Sequence, residues 1–400
     1  MKQQTAVVVE SIRTGLTKSY RGQFNITRAD SMLAHLVDSL LKRHTTLKKE
    51  AVEDIIIGCG NPEGPQGHNI ARNVAVLSKL NITTGGVTVN RYCSSGLQTV
   101  AMAACQIQSG FSDCIIAGGV EAISTMHQKI NLEGFVNKTI NEKKPGIYHP
   151  MGLTAETVAK RYNISRQAQD EYALESQLRC ARAQEAGYFK DEIVPMKTSM
   201  AIIDKDSKEI TGTEETLVDR DTCNRPTTNL EGLSSLKPVF DPENGSVTAG
   251  NSSQLSDGAS ITLVMSETKA KELGLKPLAY FRGFTTMGCE PDEMGIGPVF
   301  SIPKCLKKAG MTIKDIDIWE LNEAFASQVV YIRDHLNLPM DKLNVNGGSI
   351  AIGHPFGMTG SRQVGHLVRE LKRQDKQWGV VTMCVGGGMG ATGLFENYQN

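Results

Sequence analysis

Short apolar runs alternate along the chain with stretches whose apolar residues recur every three or four positions. The first run, Thr5–Ser11, predicts a strand, and Ser31–Arg43 then has helical periodicity with Asp30 placed to cap it. Leu47–Lys49 and Val52–Ile57 follow, then a helix over Asn69–Leu80, a strand over Val87–Asn90, a helix over about Ser94–Ser109 and a strand over Cys114–Ala117 that runs into Gly118-Gly119. The last third repeats the order. It predicts a strand at Leu278–Phe284, a helix at Ile302–Lys308, a strand at Ile313–Ile318 and a helix at Phe325–Leu336. A strand end at Leu343–Asn346 comes next, then a Gly-rich turn opening a helix at Gly357–Arg373, and Val380–Met383 leading to Gly386-Gly387-Gly388. Strands alternating with helices predict α/β units with buried, continuously apolar strands. Two copies of one unit predict a pseudo-two-fold pair of sheets, with helices between and outside them.

Between the copies the texture changes. Residues 123–255 hold a charged helical stretch (Thr154–Gly187), Pro195, and polar turns at Asp204–Asp206 and Asp241–Gly245. They predict a more polar inserted lobe that covers a site or serves dimerisation. The division is then 1–122 with 256–277 as the first half, 123–255 as the insert and 278–400 as the second half.

Charge narrows the function classes. Lys plus Arg is 43 and Asp plus Glu is 43, so there is no basic field to hold a nucleic-acid backbone. No apolar run approaches the ~18–20 residues that span a bilayer. The 39 glycines among 400 residues exceed the usual share of ~7% and imply many tight turns. The nine cysteines are scattered, with no CxxC pair and no zinc-ligand spacing, so neither a metal site nor a disulfide framework is expected. Met1–Gln4 runs directly into the first strand, and Tyr398-Gln399-Asn400 is not a peroxisomal tripeptide. A cytoplasmic protein with reduced thiols is the expectation.

Each half places an unusual residue after its Val-Asn strand end. In the first half Cys93 lies between that strand end and a helix start, where the macrodipole and free amides favour a thiolate. In the second half His354, between Gly353 and Pro355, occupies the corresponding turn. Cys384 ends a later strand, ahead of Val385–Gly390. The duplication brings all three to equivalent strand ends, where α/β folds place ligands. Gly388–Gly393 matches GxGxxG, but only seven residues follow it and no helix can receive a pyrophosphate. No GxSxG elbow or Walker A lysine occurs, which leaves serine-hydrolase and NTPase readings without support.

Over essentially its full length the sequence resembles the thiolase family. The matching stretches are Asn90–Gln98 (NRYCSSGLQ), Thr248–Ser253 (TAGNSS), Leu321–Phe325 (LNEAF), Asn346–Gly360 (NGGSIAIGHPFGMTG) and Cys384–Gly390 (CVGGGMG). The form around Cys93, with Asn251–Gln254 and Met294–Pro298, is more similar to degradative 3-ketoacyl-CoA thiolases than to acetoacetyl-CoA-specific ones. The resemblance implies a five-layer αβαβα fold of two similar halves with an inserted loop domain. It implies reversible, CoA-dependent cleavage of a 3-ketoacyl-CoA through an acyl-Cys93 intermediate. Biosynthetic condensation of two acetyl-CoA is the alternative, and a non-catalytic acyl-CoA or lipid carrier of the same fold a remote one. His354 would act as base and Cys384 as second acid/base. Asn322 would hold a water, and the N–H groups of Cys93 and Gly386 would bind an oxyanion. Ser253 and Arg225 would contact CoA, with Met151, Met294 and Phe325 lining the substrate site. CoA enters as co-substrate, with no cofactor or metal, and a homodimer or homotetramer is implied; a β-oxidation hydratase/dehydrogenase partner fits the same chemistry.

Overall fold

The computed structural model describes residues 3–126, 129–204, 206–207 and 209–399. Met1, Lys2 and Asn400, read above for targeting signals, and Lys205 in the polar turn at Asp204–Asp206 lie outside the described residues. In chain order the strands are β1 (Ala6–Arg13), β2 (Thr17–Lys18), β3 (Asp54–Cys59), β4 (Val87–Val89), β5 (Cys114–Glu121), β6 (Met196–Ile203), β7 (Ile210–Val218), β8 (Ser256–Ser266), β9 (Ala279–Gly288), β10 (Ile318–Leu321), β11 (Trp378–Val385) and β12 (Met389–Asn397).

All but β6 and β7 join one ten-stranded sheet in the order β10-β11-β12-β9-β1-β8-β5-β3-β4, with β2 on β8. The duplication is written in the strand directions. β3 runs parallel to β5, β5 antiparallel to β8 and β8 antiparallel to β1. In the second half β10 is parallel to β11, β11 antiparallel to β12 and β12 antiparallel to β9. Within the sheet the halves pair at Val7↔Tyr280 and Val8↔Ala279.

Strand alternation then builds five layers. Ile55 and Ile57 of β3 pack in a core with the helices Ala29–Arg43 and Ile70–Leu77, while Ile56 points to the other face. That second core joins both half-sheets to the central helices Ser95–Gln108 and Phe356–Arg373. A third core packs Val380, Trp319 and Leu321 against the helices Gly297–Ala309 and Ala326–Leu336. The central helices approach backbone to backbone. A Cβ on Gly96 would sit 2.7 Å from the Ser361 nitrogen and 2.8 Å from the Gly357 oxygen, and one on Gly119 would fall on the Gly357 carbonyl.

Several sequence expectations shift. The first helix begins at Ala29, and Asp30 lies inside its first turn, where its carboxylate takes the Arg28 guanidinium (3.0 Å) instead of capping. Ile313–Asp315 is a 3-10 turn closed by a Thr312/Asp315 capping box, so the strand there is only β10. Leu343–Asn346 forms no strand beyond a single bridge from Leu343 to Trp319; Asn344 is left-handed (φ 45°) and its amide ties down Leu321 on both sides. The charged helical stretch of the insert is two helices, Met151–Arg161 and Arg166–Glu185, broken by left-handed Asn163 and restarted by the Ser165 cap. Buried Arg13 of β1 pairs with Asp221 (2.6 Å) and Glu192 (2.8 Å), fastening residues of the 123–255 segment to the first half.

Candidate active site

After β4, an Asx turn sets up the first motif: the Tyr92 N–H donates to Asn90 Oδ1 at 2.8 Å. Tyr92 takes a left-handed φ of 43°, and a 3-10 turn over Tyr92–Ser94 leads into Ser95–Gln108. Ser95 Oγ accepts from the Arg91 N–H (2.9 Å) and donates to the Tyr92 carbonyl (2.7 Å), which locks the turn. Cys93 ends up 8% exposed. Burial pushes its thiol up to about 12; the N–H groups of Gly386 and of Cys93 itself act against this, and the Glu121 carboxylate adds to it. Burial thus outweighs the pull toward a thiolate expected of the helix start, so Cys93 rests as a thiol and needs a base.

His354 is built into a line of hydrogen bonds. Gly353, at φ 114°, turns the chain after the short helix Ser349–Ile352 and delivers His354, 2% exposed, to the start of Phe356–Arg373. Thr359 Oγ1 gives its hydrogen to the Pro355 carbonyl (2.9 Å), so at 2.7 Å from His354 Nδ1 it accepts, and the ring proton resides on Nδ1. Nε2 then carries the lone pair and takes the Asn322 amide N–H at 3.3 Å. Ser349 donates to Asn322 Oδ1 (2.6 Å), which fixes that amide's orientation. Burial, reinforced by the charge of Arg362, holds the imidazole down to about 3, so it is neutral.

Cys384, fully buried near the end of β11, lies 2.8 Å from Gln328 Oε1. Burial raises its thiol well above the usual range, and the neighbouring Cys93 and Cys289 add to the shift. Beyond it the β11–β12 turn holds Gly387 and Gly388 at φ 80° and 83°, a conformation that disfavours any side chain. A Cβ on Gly386 would meet only ordinary contacts, the Tyr92 ring at 3.4 Å and Met151 Sδ at 3.7 Å. The glycine run therefore serves chiefly the turn, and the Gly386 N–H supplies the contact with Cys93.

Met294 and Phe325 share a cluster with Cys384, against which Met151 packs. Ser253 and Arg225 line one cleft of about 450 Å³ together with Lys18, Gln177 and Ile350. Ser253 is anchored by its N–H to the Ala324 carbonyl (2.9 Å), and Ala324 belongs to the same cluster as Cys384. Met151, Met294 and Phe325 thus group with Cys384, and Ser253 groups with Arg225.

Sequence reasoning missed Ser349, Thr359, Gln328 and Glu121. The first two stand five residues either side of His354, a spacing visible only once the loop is folded. Buried Glu121 accepts from the N–H groups of Gly60 (2.8 Å), Asn61 (3.1 Å) and Gly357 (2.8 Å), tying the first half's loop to the His354 helix. Among the described residues no group of three His, Cys, Asp or Glu is placed to hold a metal ion, and no helix is long and apolar enough to cross a membrane.

Known proteins are similar to this chain in sequence and fold. The 3-ketoacyl-CoA thiolase of Bacillus subtilis (strain 168) is 46% identical over 394 residues, 98% of this chain and 99% of that protein. The crystal structure of the Bacillus anthracis acetyl-CoA acetyltransferase superposes with a TM-score of 0.87 at 36% identity, covering 99% of this chain and 100% of that one. The dimeric peroxisomal thiolase of Saccharomyces cerevisiae gives 0.88 at 35% identity, covering 100% and 98%. The family description "Thiolase, N-terminal domain" matches residues 6–268 and "Thiolase, C-terminal domain" matches 275–397, so the chain belongs to the thiolase family.

Proposed function

We propose that the protein is a 3-ketoacyl-CoA thiolase, an acyltransferase that cleaves 3-ketoacyl-CoA with CoA to acetyl-CoA and an acyl-CoA two carbons shorter. The observation that carries the reading is the run of contacts from His354 through Asn322 and Gln328 to Cys384, with Cys93 beside Cys384. The B. subtilis relative's name supports the degradative direction.

His354 Nε2 takes the Cys93 proton as the sulfur attacks the 3-keto carbon. The N–H groups of Cys93 and Gly386 hold the resulting oxyanion, a contact worth ~2.7–4 kcal/mol per donor in comparable sites. Cleavage of the C2–C3 bond leaves the acetyl-CoA enolate, its oxygen facing His354 and Asn322, and Cys384 protonates its carbon. A second CoA thiol gives its proton to the Cys384 thiolate and takes the acyl group from Cys93, whose released thiolate recovers its proton from His354. CoA lies along the cleft of Arg225 and Ser253, and Met151, Met294 and Phe325 bound the acyl side. The same reading takes 123–255 as an inserted loop domain, CoA as co-substrate with no resident cofactor, and the cytoplasm as location. It takes a homodimer as the assembly: Val76, Leu77 and Ile82 are exposed at 57%, 57% and 66% near edge strand β4, and the yeast relative is dimeric.

The test follows loss of the 3-ketoacyl-CoA enolate absorbance with acetoacetyl-CoA and a long-chain substrate in parallel. Faster turnover of the long substrate supports the reading. Activity confined to acetoacetyl-CoA points to the condensing enzyme, and a Cys93→Ala variant that still formed an acyl adduct by intact mass would sink the nucleophile assignment.

A further inference from the structure

The two thiols differ in what faces them. Cys93 meets N–H donors, from Gly386 and its own backbone, which suit a sulfur that must become an anion. Cys384 also has its own backbone N–H beside it, but its side-chain partner is an acceptor, Gln328 Oε1 at 2.8 Å. The orientation of that carboxamide is set from its other end, because Gln328 Nε2 donates to the Asn322 carbonyl at 3.2 Å. With the nitrogen committed, the oxygen must face the sulfur, and a carboxamide oxygen accepts but never donates. The contact therefore exists only while Cys384 carries its proton.

Gln328 itself has little freedom. It is fully buried on the helix Ala326–Leu336, and its Cβ is packed where a side chain on Gly295 would reach it at 3.0 Å. Asn322 is the shared hinge of both arms: its side chain meets His354 Nε2 while its carbonyl fixes Gln328. One residue thus aligns the base for Cys93 and, through Gln328, the acid for the enolate.

We propose that Gln328 is the positioning residue of the second proton-transfer group: it fixes the sulfur of Cys384 and keeps it protonated until the S–H turns to the enolate carbon, and it accepts that S–H as a hydrogen bond again once CoA has returned the proton to the sulfur. This rests on the thiolase reading. The proton leaves Cys384 sulfur for carbon and returns from the CoA sulfur; Gln328 exchanges none.

The experiment compares the wild type with Gln328→Met, close in shape but without the acceptor, and Gln328→Glu, which keeps an oxygen toward the sulfur. Cys93 acylation by an activated acetyl thioester, whose thiolate leaves without needing a proton, is read by intact mass in a single turnover, and acetoacetyl-CoA thiolysis and condensation at steady state across pH. For Gln328→Met, acylation is expected within about twofold of wild type, while thiolysis and condensation fall about tenfold or more, chiefly in kcat. Gln328→Glu should recover part of the loss and gain a pH dependence of condensation that acylation lacks. Condensation by Gln328→Met within twofold of wild type overturns the proposal, as does a parallel loss of acylation. If Gln328→Met does not fold, Gln328→Glu decides alone, and a wild-type pH profile overturns the proposal. Wild-type enzyme without turnover of any 3-ketoacyl-CoA overturns this inference together with the thiolase reading; turnover with an indifferent Gln328 overturns this inference only.

Discussion

Thr359 Oγ1 accepts the hydrogen on His354 Nδ1 at 2.7 Å, five residues along the chain and one turn into the helix that His354 precedes. The contact decides which ring nitrogen is basic. With the Thr359 hydrogen spent on the Pro355 carbonyl (2.9 Å), only the tautomer with a free Nε2 satisfies the ring.

Replacing Thr359 by Val keeps the shape and removes that acceptor. Cys93 acylation should slow on the order of tenfold or more, since a misassigned tautomer disables a histidine base. Thr359→Ser should restore most of it. Nitrogen NMR of labelled His354 provides the check: the Val variant should show a mixed tautomer signature, and an unchanged one would refute the role.

The pH dependence follows from burial. His354 is held down to about 3, against ~6.5 for a free imidazole, so it remains a base through the mildly acidic range. Acylation of Cys93 should therefore stay nearly flat from about pH 8 to about pH 5. The sign for stability is the opposite of a paired histidine's. The unfolded state takes up the proton first, so the contribution is complete above ~6.5 and is lost as pH falls toward the folded value. The Tm gap between wild type and His354→Asn should narrow across that window; a constant gap would contradict the burial argument.

At Gly119 there is no room for a methyl group, because the Gly357 carbonyl occupies its place. Gly119→Ala should cost about 1–3 kcal/mol or more by overpacking, read as a lower denaturation midpoint. Gly283→Ala is the matched control: nothing lies within 4 Å of its Cβ position, and its stability should be nearly unchanged.

The duplication and the α/β character were legible in the order of residues, and Cys93, His354 and Cys384 stood out there as candidates. Those features depend on local order: apolar runs at strand length, helical periodicity, and Cys93 and His354 at matching points of two repeats. Its element ends slipped where a side chain redirected the backbone, as Asp30 did by pairing with Arg28 and Thr312 with Asp315 by boxing in a 3-10 turn. Tertiary structure alone decided the protonation states. A helix start favours a thiolate at Cys93, but the cost of burying a charge exceeds that pull, and no spacing in the sequence reveals how deeply a loop will be covered. It also decided the partners. Gln328, Thr359 and Ser349 are ordinary polar residues until packing brings each within hydrogen-bond distance of one atom of Cys384, His354 or Asn322.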